Sequence, residues 1–168
     1  MEKIVIVDET DKIIGSVQRR NLLPGQIYRV AALFITNSRK EILLAKRALS
    51  KDKDPGLWGP AAAGTLAEGE SYEVNIKKEA REELGLTGIN LKKGPKQRVT
   101  FPFNHFTQWF FLTLNAPISH FKIQREEVDS VSWISFEDCK RRVEKDDPSL
   151  TYSLKQAWRE GLFHNVFL

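Results

Sequence analysis

The sequence is poor in the residues that build disulfides and transition-metal sites. Its 168 residues include a single cysteine, Cys139, and three histidines. One cysteine excludes an internal disulfide, so a reducing cytoplasm is the expected setting. Cys139 lies in a segment that predicts a helix, and we interpret it as a structural thiol rather than as a nucleophile.

Long apolar runs and dense basic tracts are also missing. The apolar run at residues 4–7 is too short for a signal peptide or a membrane span, so no membrane association is expected. A net charge of +4 favours anionic ligands. Because no basic tract with interleaved aromatic residues is present, nucleic acid is not the expected partner, and a small phosphorylated molecule fits the charge better.

What is present is a mixture of strand and helix patterns typical of one α/β domain over residues 1–168. We interpret His105 as a loop residue. The predicted strands are Lys3–Val7, Ile13–Gln18, Ile27–Thr36, Glu41–Lys46, Gln97–Phe101, Gln108–Leu114 and Val128–Ile134. The predicted helices are Tyr72–Leu84, a helix from Ser135 with Asp138 in its first turn, and Leu150–Gly161.

The most informative pattern is a group of glutamates in the first predicted helix. Glu79, Glu82 and Glu83 are three and four residues apart, which places them within an arc of about 100° on one helix. Like charges this close destabilise a helix unless a cation neutralises them. Carboxylate oxygens suit Mg²⁺ or Mn²⁺, so the cluster predicts a metal site; the alternative is a solvated acidic face.

The surroundings of this cluster favour the metal site. Ile76, Ala80 and Leu84 form an apolar stripe beside the glutamates, so the carboxylates are expected at the rim of a packed core. Gly85 is a candidate C-cap, and Gly64 begins a loop whose backbone can approach a ligand closely.

The spacing from Gly64 to Leu86 resembles the motif of the Nudix family, G-x5-E-x7-R-E-U-x-E-E-x-G-U, where U is a bulky aliphatic residue. Every fixed glycine and glutamate is present, including Glu70. The sequence departs from the motif at two positions: Lys78 replaces arginine, and Ala80 replaces a larger apolar residue. Lysine keeps the charge but loses the planar fork of arginine.

This resemblance implies a fold, a reaction and a set of residues. The fold is the Nudix α/β/α sandwich, a mixed sheet flanked by helices with the motif as a loop–helix–loop. The reaction is Mg²⁺-dependent cleavage of a diphosphate linkage in a nucleoside diphosphate derivative or a similar small molecule, and a homodimer is compatible with the family. The implied metal ligands are the Gly64 carbonyl, Glu79, Glu82 and Glu83.

The other candidate site residues lie outside the glutamate cluster or beside it. Glu127 is a candidate base, because some family members use a loop glutamate outside the motif, and Glu79 is the alternative base. Arg29 and Arg47 are candidates for binding phosphate, with surface solvation as the alternative. Lys78 is a further candidate for substrate binding, or for pairing with Glu70.

A wider resemblance, over residues 5–133, is to the Nudix subgroup that includes isopentenyl-diphosphate isomerases and related hydrolases. Those isomerases need a reactive cysteine and metal-binding histidines. Here Ala63 and Thr65 stand at two of those positions, and alanine cannot transfer a proton. We therefore expect a hydrolase. Isomerase-like chemistry and a non-catalytic diphosphate-binding module remain as alternatives.

Overall fold

In this computed structural model residues 2–166 are described, and they form nine strands and three α-helices. The predicted domain span of residues 1–168 extends beyond these residues at both ends. The strands are β1 Lys3–Val7, β2 Ile13–Gln18, β3 Ile27–Thr36, β4 Glu41–Arg47, β5 Trp58–Gly59, β6 Ala62–Thr65, β7 Lys92–Val99, β8 His105–Thr113 and β9 Val128–Ser135. The helices are α1 Tyr72–Leu84, α2 Phe136–Glu144 and α3 Tyr152–Arg159.

Strand β3 is the centre of the mixed sheet. It pairs antiparallel with β1, β4 and β6, and parallel with β8 along its whole length, from Tyr28 opposite His105 to Thr36 opposite Thr113. β2 extends the sheet beyond β1, β7 extends it beyond β8, and β9 pairs with β4. Because side chains pack against both faces of β3, the strand is expected to be apolar on both, as its sequence IYRVAALFIT largely is.

Alternate residues of β3 face two different cores. Leu33 and Ile35 pack with the apolar stripe of α1 on one face of the sheet. Ala32 and Phe34 pack on the other face, against α2 and α3. The predicted α/β/α sandwich is therefore confirmed.

Helix α1 has the predicted bounds because its end signals are strong. The Ser71 side chain accepts a hydrogen bond from the Val74 amide, and Gly85 caps the C-terminus in the left-handed conformation with a φ of 71°. Its apolar stripe is fully buried, as predicted: Ile76, Ala80 and Leu84 are all 0% exposed.

Two strand predictions were misplaced. The strand predicted at Gln97–Phe101 is Lys92–Val99, because charged residues at its exposed end hide the alternating pattern. The strand predicted at Gln108–Leu114 starts at His105, which is buried and paired with Val99, so the loop interpretation of His105 was wrong. The short strands β5 and β6 had not been predicted, because β5 has only two residues and β6 is mostly alanine and glycine, which carry little strand preference.

Candidate active site

Gly64 and Glu79 form the tightest contact in the site. Pairing of β6 with β3, which sets Gly64 opposite Ala31, brings this glycine against α1. A Cβ added at Gly64 would lie 2.4 Å from both Cδ and Oε1 of Glu79. Only glycine leaves room for that carboxylate beside the backbone, which explains the residue at this point of the motif.

Glu83 and Glu79 are carboxylates in an environment that disfavours their charge. Glu83 is 9% exposed and accepts a hydrogen bond of 3.3 Å from the Ala63 amide. Burial, and then the neighbouring Glu79, raises the pKa of Glu83 to about 8. Burial is also the main cause that raises the pKa of Glu79 to about 7, with Glu82, Glu70 and Glu127 adding to it. A bound cation would offset both effects.

Glu70 and Lys78 fasten the loop that precedes α1. One oxygen of Glu70 accepts a hydrogen bond of 2.6 Å from Lys78 Nζ. The other accepts hydrogen bonds of 2.9 Å from Asn75 Nδ2 and from the Ala67 amide. Lys78 lines the cleft and lies 3.7 Å from Glu79, but its ammonium group is bound to Glu70. This contact favours a role in positioning the motif over a role in binding substrate.

The remaining two candidate carboxylates complete one side of the cleft. Glu82 is an exposed residue of α1, and Glu127 precedes β9, where its carbonyl accepts a hydrogen bond of 3.0 Å from the Ala48 amide. Glu127 is close enough to Glu79 and Glu83 to raise the pKa of both. We call this set the acidic side of the cleft: Glu79, Glu82, Glu83 and Glu127.

A second set of cleft residues, beside the acidic side, is basic and comes from separate segments. Arg19 lies in a short 3-10 turn after β2, Arg47 ends β4, and Lys51 and Lys53 lie in the following loop. Arg47 donates a hydrogen bond of 2.8 Å from Nε to the Lys53 carbonyl, and Lys51 Nζ forms a salt bridge with Glu127. We call this set the basic side: Arg19, Arg47, Lys51 and Lys53. The cleft between the two sides has a volume of about 340 Å³.

Arg29 does not line the cleft, contrary to the prediction that it binds phosphate. Its neighbours on β3, Tyr28 and Val30, line the cleft, so Arg29 points to the other face of the strand. Its Nε lies 2.7 Å from Oδ1 of Asp11, whose carboxylate also contacts the Tyr72 hydroxyl and Lys96 Nζ. Arg29 therefore joins the β1–β2 turn to the sheet.

The donors on the acidic side fit a hard divalent cation. Carboxylates and a backbone carbonyl are oxygen ligands, and Gly64 allows both kinds to approach one point. Within residues 2–166 no three acidic, histidine or cysteine side chains already stand in a coordinating arrangement. Glu82 is exposed, so its side chain is free to rotate towards Glu79 and Glu83.

A family model described as NUDIX domain matches residues 26–154. The chain belongs to the Nudix family. Among curated relatives, an uncharacterised Nudix hydrolase of Pseudomonas aeruginosa is 33% identical over 137 residues, which is 79% of this chain and 78% of that protein. An uncharacterised Nudix hydrolase of Listeria monocytogenes is 28% identical over 141 residues, which is 82% of each chain. The chain is a Nudix-type hydrolase, and Nudix enzymes hydrolyse nucleoside diphosphate derivatives with the help of divalent metals.

Solved Nudix structures share the fold at low sequence identity. A crystal structure from Deinococcus radiodurans has a TM-score of 0.80 at 21% identity, and covers 95% of this chain and 98% of that one. The Nudix domain of Shewanella oneidensis NrtR, crystallised with ADP-ribose, has a TM-score of 0.62 at 16% identity, and covers 84% of this chain and 92% of that one. In residues 2–166, no helix combines the length and the apolar character needed to cross a membrane.

Three of the four members of the basic side were not among the sequence candidates. Lys51 and Lys53 lie in the segment after the predicted strand Glu41–Lys46, and Arg19 directly follows the predicted strand Ile13–Gln18. Nothing in their local sequence separates them from solvated surface charges. Only the pairing of β1, β3 and β4 brings the three segments together.

Proposed function

We propose that this Nudix hydrolase cleaves the diphosphate linkage of a nucleoside diphosphate derivative, or a similar small X-diphosphate, in a Mg²⁺-dependent reaction. The observation that carries the proposal is the contact of Glu79 with Gly64 beside the buried Glu83. The contact brings carboxylate oxygens, whose negative charge is disfavoured by burial, next to the backbone carbonyl of Gly64. Mn²⁺ suits the same donors.

In the proposed site Glu79, Glu82, Glu83 and the Gly64 carbonyl hold the metal. When bound, the metal neutralises charge on the phosphoryl oxygens and lowers the pKa of water. The hydrogen bond from the Ala63 amide orients Glu83, and the network around Glu70 holds the loop that presents Gly64. On the basic side, Arg47 and its neighbours bind the phosphate oxygens that carry negative charge.

Glu127 is the proposed base. Its Oε2 contacts Lys51 Nζ, which fixes the side chain at the border between the two sides. Its Oε1 receives no hydrogen bond from residues 2–166 and is available to accept a proton from the attacking water. Glu79 is the alternative base, and its contact with Gly64 favours the ligand role instead.

The group X on the diphosphate is to be identified by a screen. The purified protein is incubated with and without Mg²⁺ against ADP-ribose, nucleotide sugars, dinucleoside polyphosphates, coenzyme A and nucleoside triphosphates, and products are separated by chromatography. ADP-ribose is included because the NrtR Nudix domain binds it. We expect Mg²⁺-dependent hydrolysis of at least one compound.

Two variants on the same helix make the screen specific. Glu83→Gln should lower activity by about 100-fold or more, because a lost metal ligand removes several kcal/mol of charge stabilisation. Glu73→Gln is the matched control, since Glu73 is exposed in the first turn of α1 and pairs with Lys77. Undiminished activity in Glu83→Gln refutes the metal assignment. Failure of every compound would favour a non-catalytic diphosphate-binding module.

The isomerase alternative finds no support in the structure. Its chemistry needs a proton-transferring cysteine, and Cys139 is 0% exposed in the core formed with α2 and α3, away from the cleft. Incubation with isopentenyl diphosphate in deuterated water tests this directly, and we expect no deuterium in the recovered compound.

A further inference from the structure

The basic side holds three cations that form no salt bridge with any carboxylate in residues 2–166. Lys51 forms a salt bridge with Glu127, but Arg19, Arg47 and Lys53 form none with any residue in the range 2–166. All three line the cleft. Asp54 also lines the cleft and is near enough to influence Lys53, although it lies beyond salt-bridge distance.

Lys53 is held in an unusual place for an unpaired ammonium group. Its Nζ donates a hydrogen bond of 2.8 Å to the Tyr28 hydroxyl and lies 4.5 Å and 4.8 Å from the ring centres of Tyr28 and Phe103. Burial, followed by the charges of Arg19 and Arg47, lowers the pKa of Lys53 to about 8. A solvated surface lysine would instead extend into water, away from other cations.

Contacts of the two arginines place this cluster beside the acidic side. Arg19 donates a hydrogen bond of 2.7 Å from Nη2 to the Thr65 hydroxyl, one residue after Gly64. Arg47 is close enough to Glu83 to act on its charge. Lys53 lies against Tyr28 and Phe103 and is near enough to both arginines for their charges to act on it. A diphosphate with one phosphate at the carboxylates therefore has its second phosphate directed towards Arg19, Arg47 and Lys53.

We propose that Arg19, Lys53 and the Tyr28 hydroxyl form a subsite for an unesterified terminal phosphate, so that the substrate is a diphosphate monoester. This rests on the proposed function and narrows its substrate class. A terminal phosphate presents three free oxygens and carries one more negative charge than a phosphate esterified on both sides. The subsite offers three different donor groups and positive charge that forms no salt bridge within residues 2–166, and both match that group.

The test compares two probes that differ only in the terminal ester. Methyl diphosphate has a free terminal phosphate, whereas P1,P2-dimethyl diphosphate has both ends esterified, and neither carries a large group X. Binding is measured by calorimetry in EDTA, so that neither metal nor turnover enters. We expect the wild-type protein to bind methyl diphosphate at least about tenfold more tightly, the effect of one or more hydrogen bonds to a charged group.

Variants assign the preference to the subsite. Lys53→Met keeps the length of the side chain between the two rings, and with Arg19→Gln it should reduce the preference to about twofold or less. Arg20→Gln removes an exposed charge from the same turn outside the cleft and should leave the preference unchanged. Thermal unfolding of each variant separates lost binding from lost folding.

Several outcomes would overturn the proposal. These are equal binding of the two probes to the wild-type protein, binding of neither, or an unchanged preference in Lys53→Met. Hydrolysis plays no part in this measurement, so a failed subsite and a failed metal assignment give different results. A failed subsite appears as equal affinities for the two probes or as an unchanged preference in Lys53→Met. A failed metal assignment appears as unimpaired activity of Glu83→Gln.

Discussion

The two sides of the cleft carry opposite charge and are built in opposite ways. Three members of the acidic side come from one helix, α1, whose spacing alone places them together. The basic side comes from a turn, a strand end and a loop that meet only in the folded sheet. Each side is electrostatically unfavourable by itself. In a metal–diphosphate complex the cation would neutralise the acidic side and the phosphates would neutralise the basic side. Binding should therefore stabilise the folded protein.

The residue that joins the two sides should give the largest effect. Glu127→Gln keeps the shape of the side chain but cannot accept a proton, so kcat should fall by about 100-fold or more. Glu126→Gln, at the exposed neighbour outside the cleft, is the control. A loss of kcat no larger than in the Glu126→Gln control would transfer the role of base to Glu79.

The acidic side can be disrupted without changing any charge. In Gly64→Ala the new Cβ would meet Glu79 at 2.4 Å, so the carboxylate must move. We expect activity to drop by about 100-fold, since displacements of about 1 Å at a reactive centre have effects of this size. Gly15→Ala is the matched substitution, because a Cβ there meets nothing within 4 Å. Normal Mg²⁺-dependent activity in Gly64→Ala would argue against a close approach of backbone and metal.

Removing the Lys78–Glu70 salt bridge, which supports the acidic side, should have an intermediate effect on activity. Lys78→Met removes the partner of Glu70 and should lower activity about tenfold, in the range found for groups that orient metal ligands. Lys78→Arg keeps the charge and restores the side chain usual in the family, so activity should be at least that of the wild type. If both variants behave alike, the Lys78–Glu70 contact does not position the motif.

His105, which lines the cleft near Lys53 of the basic side, offers the smallest test. Burial, and then the charges of Lys53 and Arg98, lowers its pKa from 6.5 to about 4. The unfolded chain therefore takes up this proton first, and the folded protein loses stability as the pH falls from about 6.5 towards 4. Lys53→Met should reduce that loss by less than about 1 kcal/mol. Urea unfolding between pH 7 and 4 measures this loss of stability, and Arg20→Met is the control for the loss of a positive charge. An equal change in both variants would show that Lys53 does not act on His105 in particular.

The parts of the molecule that could be predicted from sequence depend on local spacing. The motif from Gly64 to Leu86, the C-cap of α1 at Gly85 and the fold class all follow from residues close together in the chain. The position of Arg29 did not follow, because it depends on which face of β3 is turned to the cleft. Lys53 and Arg19 were missed for a related reason, since long-range strand pairing brings them to the site.

Asp11, in the turn of the first hairpin, connects that hairpin to the helix of the active site. This residue lies before the segment that the family shares, residues 26–154, yet its carboxylate binds Arg29 of β3, the hydroxyl of Tyr72 at the first turn of α1, and Lys96 of β7. One side chain of the hairpin thus anchors the start of the helix that carries the glutamates. A segment outside the range matched by the family model therefore helps to hold the active-site helix in place.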